Sequence, residues 1–345
     1  MTIPRGDSTN GVSGETYGVP GGLDIADPAL AESVRQGMTR VEHLLHDSVR
    51  SELDFATRTS LHLVDAGGKR FRPLFAILAA HFGEPDDERV TKSAAVIEMV
   101  HLATLYHDDV MDEATMRRGA TSANARWDNS VAILTGDFLF AQASRLVADL
   151  GTDSARSMAR TFESLVTGQM RETIGAGNDE DIVEHYLSVI DEKTGSLIAT
   201  AGRFGGFFAG VDEQHVRTLD RIGTIVGSGF QISDDIIDIA SPSGESGKTP
   251  GTDLREGVRT LPMLYVLSDE NADPRLRELL AGPITGDDEV DEALRRLRES
   301  DGLARTRRTL DDYAADAHRQ IASLPECPAR EAMASLVDYV VARTH

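Results

Sequence analysis

Three aspartates stand within five residues in Asp108-Asp109-Val110-Met111-Asp112, and two arginines, Arg117 and Arg118, follow them closely. Acidic runs are commonly solvated helix ends. The spacing argues against that here. On a helix, residues four apart stand one above the other, so the carboxylates of Asp108 and Asp112 share a face and repel each other. A cation between them removes the repulsion, and hard oxygen ligands suit Mg2+, which also binds substrate phosphates. Guanidinium forks match phosphate oxygens bidentately, so Arg117 and Arg118 fit a magnesium–diphosphate site.

The pattern recurs. His107 to Asp112, "HDDVMD", is echoed by "SDDIID" at 233 to 238, again late in a long apolar segment. Asp234 and Asp238 share a helix face, with Gln231 one turn earlier. If the two helices face each other, six carboxylates (Asp108, Asp109, Asp112, Asp234, Asp235 and Asp238) surround one cavity, where several of their pKa values would rise without metal. A frayed helix end explains the second motif poorly, because acids there oppose the helix dipole. Bases are spread around these motifs. Lys69 and Arg72 lie on "GGKRFRP", a glycine-opened turn at a helix start that favours phosphate. Lys193 and Thr194 belong to "EKTGS", and Lys248 to "SGKTPGTD" directly after the second motif. Two acidic edges with scattered bases are what two diphosphate groups at one site require.

The elements that must position these residues are helices. Hydrophobic residues make up 40% of the 345 and aromatics only 5%, which favours helix-on-helix packing. Apolar residues recur at three-and-four spacing from residue 28 onward, with no convincing strand alternation. The pattern predicts helices over about 28–47, 50–65, 72–82, 87–112, 121–149, 153–174, 179–200, 212–240, 258–268, 288–299, 302–323 and 327–343. Residues 1–26 are rich in Gly, Ser, Thr and Pro and read as a flexible tail, leaving 27–345 as one helical domain. A formal charge of -22 repels nucleic acid and anionic membrane. The single Cys327 excludes an internal disulfide framework and suits a reducing cytoplasm. No apolar run matches a membrane span, and no signal pattern opens the chain.

Together "GGKRFRP", "LYHDDVMDEATMRRG", "GQMRE", "EKTGSL", "FQISDDIID" and "GKTPGTDLREGVRTLP", in this order from 67 to 262, resemble the trans-isoprenyl diphosphate synthases, the polyprenyl synthetase family. The resemblance implies a single large all-α bundle of the isoprenoid synthase type with a central cavity. It implies head-to-tail condensation of isopentenyl diphosphate with an allylic diphosphate. Three Mg2+ ions would be held by Asp108, Asp109, Asp112, Asp234, Asp235 and Asp238, with Arg117, Lys193, Thr194, Gln231 and Lys248 on the allylic substrate. Lys69, Arg72, His101 and Arg118 would bind isopentenyl diphosphate. The departing diphosphate would take the proton, and aromatic faces such as Phe230 could stabilise the cation. A cytoplasmic homodimer is implied, with transient membrane contact for product release. One departure stands out: the family commonly has a lysine after "EG", where this chain has Val258 and then Arg259.

The resemblance also bears on product length. Ala103 and Thr104 precede Asp108 where short-chain members carry large aromatics, so the product channel is expected to run on past Met99, Val100 and Val96, with a medium or long polyprenyl product. Tyr106, Phe138 and Phe140 are the side chains that would narrow it. Geranylgeranyl or farnesyl diphosphate synthesis is the alternative. A class I terpene cyclase fits less well, because such enzymes usually carry an Asn/Ser/Glu metal motif where this chain has "DDIID". A di-iron bundle protein would use the Glu98-x-x-His101 pair, but a second such pair is lacking. An inactive partner-supporting subunit is the non-enzymatic reading, and the intact acidic motifs argue against it.

Overall fold

The structure, a computed structural model, describes residues 16–240 and 250–344. A short hairpin, β1 (Tyr17–Val19) and β2 (Leu23–Ile25), leads into α1 (Pro28–Ser48), α2 (Asp54–Asp65), α3 (Phe71–Ala80) and α4 (Glu88–Met111). A second hairpin, β3 (Met116–Arg117) and β4 (Ala120–Thr121), precedes α5 (Ala123–Arg126), α6 (Asn129–Asp149), α7 (Thr152–Ile174) and α8 (Ile182–Ile190). One π-helical turn (Asp191–Gly195) joins α8 to α9 (Ser196–Phe208), and α10 (Glu213–Ala240) follows. The C-terminal part is α11 (Thr252–Glu256), α12 (Leu261–Leu267), α13 (Pro274–Leu279), α14 (Asp287–Arg298), α15 (Asp301–Ile321) and α16 (Pro328–Ala342).

The chain is helical as its apolar spacing predicts, and α4 lies at the centre. Asp87 starts it by accepting the Arg89 amide at 2.8 Å, a cap that contributes about 1 kcal/mol. Val90, Ala94, Val96, Ile97, Met99, Val100 and Leu102 are buried on different sides of α4, as in a helix enclosed by others. Its neighbours are α1, α3, α6 and α9. Helix α6 runs antiparallel to it: Lys92 meets Asp149 at 3.5 Å, and His107 Nε2 meets the Ile133 carbonyl at 3.2 Å. Helices α9 and α10 touch at backbone distance, because a Cβ on Gly223 would lie 2.6 Å from the Cα of Ala199. A second apolar core, built on Ile232, Ile236, Leu254, Leu261 and Leu294, ties the end of α10 to α12 and α14.

The structure corrects several expectations. Packed structure is present before residue 27: Val19, Leu23 and Ile25 are buried, with Val19 facing Leu23 across the hairpin, so these apolar side chains hold it to the helices. Residues 1–15 lie outside the described part. The stretch 121–149 breaks at Asp128, which caps α6 by accepting the Val131 amide at 2.8 Å. The stretch 179–200 is divided by the π-turn. Helix α6 is, among the described residues, long and apolar enough to cross a membrane. It nonetheless buries Ala132, Thr135, Gly136, Leu139 and Ala143 as a core helix. Cys327 is half-buried against the core, as a small packed residue.

Candidate active site

Both acidic motifs fall at the ends of their helices, where α4 and α10 leave the core. Within each motif the aspartates divide by direction. Asp109 is fully buried, and its Oδ1 accepts from Arg117 Nε at 2.5 Å. Asp112 is exposed, with Arg117 Nη2 at 4.0 Å. Burial raises the pKa of Asp108 to about 6, against the pull of Lys193 and with the push of Asp112. In the second motif Asp235 is buried and takes hydrogen bonds from the Tyr186 hydroxyl, the Leu261 amide at 3.0 Å and Gln231 Nε2 at 3.3 Å. Burial raises its pKa to about 7 despite those bonds. Asp238 accepts the Thr252 and Asp253 amides at 3.2 and 3.4 Å, so it fixes the start of α11. Asp109 and Asp235 thus hold protein partners on the core side, as Asp238 does at the start of α11, while Asp109 keeps Oδ2 without one. The reason is helical: a residue next to Asp108 or Asp234 lies about 100° round the axis and faces the core.

The π-turn carries the next cation. Its wider loop pushes Lys193 outward, a feature common at functional sites, while Thr194 is buried. Lys193 Nζ donates to Glu172 at 2.5 Å. The Glu172 carboxylate raises the pKa of Asp108 on one side and of Tyr186, the Asp235 partner, on the other. The Lys193–Glu172 pair, closed at 2.5 Å, thus acts electrostatically on both motifs. Glu172 lies in "GQMRE" and was not singled out by sequence reasoning. A cavity of about 650 Å3 beside this turn, lined by Ser164, Asp191, Glu192, Thr200 and Arg203 among others, contains none of the motif aspartates.

A nest of arginines lies below the first motif. Gly68 has φ 122°, and a Cβ there would meet the Arg118 guanidinium at 2.7 Å, so only glycine leaves room for it. Arg118 donates to the Gly67 carbonyl and stands 3.7 Å from Glu98. Arg72 Nε is buried without a partner. Burial lowers the Arg72 pKa to about 10, with Glu98 opposing and Arg118 assisting. His101 is pushed well below its ordinary pKa by burial and then by Arg72 and Arg118, so it is neutral. Arg70, which sequence reasoning passed over, donates to Glu42, to Glu98 at 2.9 Å and to the Val64 carbonyl at 2.8 Å. Lys69 stands apart, 5.8 Å from the rings of both Phe230 and Tyr339.

Arg343, at the end of α16, was also missed. It pairs with Asp234 Oδ1 at 2.5 Å and lies 4.3 Å over Phe230. Nothing local marks it, since it is 109 residues from its partner. Arg259 turns instead to the Ala281 carbonyl at 3.3 Å, and Val258 is exposed. Lys248 lies outside the described residues. The Glu98–His101 pair is not a metal pair, because Glu98 is bonded to Arg70.

The helix beneath Asp108 is closely packed. Met99, Val100 and Val96 are wholly buried in the packed core. Ala103, five residues before Asp108, lies about 140° round the helix from it; its side chain is buried, and its backbone carbonyl lies close to Gly136 of α6. Thr104 is half-buried and on the Asp108 face. Tyr106 does not lean into the site: its hydroxyl donates to the Thr59 carbonyl and accepts the Leu63 amide at 3.2 Å. Phe140 stacks on Phe162 of α7 at 4.1 Å.

Carboxylate oxygens from two elements suit a hard divalent cation: Asp108 is driven up in pKa by burial and Asp109 Oδ2 is buried without a partner, while among the described residues no three ligating side chains already stand together. A pH dependence follows. The raised folded-state pKa of Asp108 means that the metal-free protein gains from protonation below about pH 6 and loses that stability as pH rises through it. A metal binds only the ionised form. The rise in Tm caused by millimolar Mg2+ should therefore be several degrees at about pH 7.5 and nearly absent at about pH 5, as read by differential scanning fluorimetry. An equal rise at both pH values would exclude Asp108 as a ligand.

A helical bundle whose two acidic motifs flank one space above a cationic nest is built to handle diphosphates, as a transferase of prenyl groups does. The comparisons with known proteins agree. The polyprenyl synthetase family matches residues 54–297, and the chain belongs to that family. It is 57% identical over 327 residues to nonaprenyl diphosphate synthase of Mycobacterium tuberculosis, covering 94% of this chain and 98% of that one. It is 44% identical to dimethylallyltranstransferase of the same organism, covering 92% and 98%. The crystal structure of geranylgeranyl pyrophosphate synthase from Corynebacterium glutamicum, complexed with calcium and isoprenyl diphosphate, superposes with a TM-score of 0.83 at 48% identity, covering 93% and 99%. The protein is a prenyl diphosphate synthase, a transferase that joins isopentenyl diphosphate to an allylic diphosphate. Members of the family use Mg2+.

Proposed function

We propose that the chain makes a medium- or long-chain trans-polyprenyl diphosphate by repeated condensation, with the allylic diphosphate between the two acidic motifs and isopentenyl diphosphate in the arginine nest. The observation that carries this is the separation of cation sets: Lys193 acts on Asp108, while Arg70, Arg72 and Arg118 are grouped around Glu98, with neutral His101 beside them. Asp108, Asp112 and Asp234 would hold Mg2+, three ions in all, with Asp109 and Asp235 fixing the helices that present them. Bound there, Mg2+ supplies charge neutralisation on the allylic diphosphate as its C–O bond breaks. Lys193 and Arg117 add positive charge on the same group, and Thr194, Gln231 and, by its sequence motif alone, Lys248 are assigned to the same substrate.

Arg72 and Arg118 orient the second diphosphate, and neutral His101 donates a hydrogen bond without adding charge. The double bond of isopentenyl diphosphate attacks the allylic carbon, and the departing diphosphate accepts the proton, so no side chain serves as base. Phe230, already faced by Arg343 and Lys69, offers a ring to positive charge. Support for a cytoplasmic homodimer comes from the free Cys327 and the exposed Ile133 and Leu134 on α6. Exposed Met111, Met116, Met170 and Ile174 on and near α4 and α7 support transient membrane contact for product release. Phosphate release coupled to an inorganic pyrophosphatase tests the reading: release should need both substrates and Mg2+, and release from the allylic diphosphate alone would favour a cyclase.

Product length follows from Thr104. A phenylalanine there would stand one turn below Asp108, about 5.4 Å down the axis, near the depth of one isoprene unit. Thr104→Phe should shorten the product to about the farnesyl or geranylgeranyl level, with the first condensation nearly unaffected, as read by chromatography of the dephosphorylated alcohols. An unchanged length would remove Thr104 from the channel.

A further inference from the structure

Glu98 is a carboxylate where the reaction calls for none. It is 1% exposed, at the centre of a site meant for anions. Arg70 does not need it for neutrality, because Glu42 already pairs with Arg70, and the carbonyls of Val64 and Gly67 take further donors at 2.8 and 3.2 Å. The remaining charge of Glu98 falls on Arg118, at 3.7 Å, and on Arg72. Arg72 Nε has no partner. Three arginines against two glutamates, Glu42 and Glu98, leave one net positive charge, where the same nest without Glu98 would carry two.

Head-to-tail chemistry gives this a purpose. The allylic diphosphate departs in each round, while the new product keeps the diphosphate that arrived with isopentenyl diphosphate. After each bond is made, the product's diphosphate is in the nest. It must move to the acidic motifs before its own C–O bond can break. A nest that grips too firmly stops elongation after one round.

We infer that Glu98 is a resident counter-anion of the arginine nest, which weakens its hold on a diphosphate so that each lengthened product can be handed to the acidic motifs. This rests on the assignment of the nest to isopentenyl diphosphate. Glu98 touches neither substrate; it acts through Arg72 and Arg118 and is a positioning residue that sets the number of rounds.

Glu98→Gln tests it, since glutamine keeps the size and an oxygen for Arg70 Nη1. In metal-free buffer, inorganic pyrophosphate should bind the variant about tenfold more tightly than the wild type, as one nearby like charge is removed, measured by isothermal titration. The KM for isopentenyl diphosphate should fall, that for the allylic starter should stay within about twofold, and single-condensation products should accumulate at the expense of long ones. A purely structural glutamate predicts a lower Tm with unchanged or weaker pyrophosphate binding, and that result overturns the inference. Should Glu98→Gln not fold, Glu42→Gln at the nest's half-buried edge must show the same tightening on a smaller scale, and its absence is equally fatal. If the wild type joins no substrates at all, the functional reading fails, while the pyrophosphate titration still decides the role of Glu98.

Discussion

Replacing Asp108 or Asp234 by alanine is expected to lower kcat by at least about a thousandfold, with the helical fold retained. Both side chains reach the space between the motifs. Asp108 is held at a raised pKa by burial, so it is a carboxylate kept in an unfavourable place. Asp234 is neutralised by Arg343. Each would lose a charge that acts as the allylic C–O bond breaks, a stage at which both ends of the site are needed. Neither anchors a backbone amide in the way Asp235 anchors Leu261. Circular dichroism and single-turnover rates in Mg2+ separate the outcomes. Near-normal turnover in either variant would break the two-motif account, and loss of helicity would move that aspartate to a structural role.

Arg72→Ala should raise the KM for isopentenyl diphosphate about a hundredfold and leave that for the allylic starter within a few-fold. A hydrogen-bonded charge pair contributes about 1.5–3 kcal/mol, which is one to two decades in affinity. Arg72 is the guanidinium of the nest whose Nε has no protein partner, so its charge is the one most available to a ligand. Arg70 is consumed by Glu42 and Glu98, and Arg118 by carbonyls. Initial-rate kinetics with each substrate varied in turn give the two constants. Equal effects on both would show that the nest does not discriminate between the diphosphates.

Much of this site can be read from spacing alone. The four-residue step puts Asp108 over Asp112 and Asp234 over Asp238, and the paired motifs point to one cavity before any fold is known. The same step places Asp109 and Asp235 off that face, although only long-range partners show what they hold: Tyr186 lies 49 residues from Asp235. The π-turn was invisible because it interrupts the 3.6-residue period without a proline or a glycine pair to mark it. Ala103 and Thr104 both lie about one turn below Asp108, but a helix turns about 140° over five residues and about 40° over four, so the two side chains point in different directions. Arg70, Glu98 and Arg343 act through tertiary contacts, so their roles required coordinates. The first hairpin is hidden in a composition that suggests a tail, yet Val19, Leu23 and Ile25 are buried.

The most direct test is chain-length analysis of the products formed from labelled isopentenyl diphosphate with dimethylallyl, geranyl, farnesyl or geranylgeranyl diphosphate in Mg2+. The account predicts Mg2+-dependent labelled prenyl diphosphates longer than geranylgeranyl diphosphate, with Thr104→Phe ending earlier. No label transfer to any of the four starters, or a cyclic hydrocarbon as product, would contradict it.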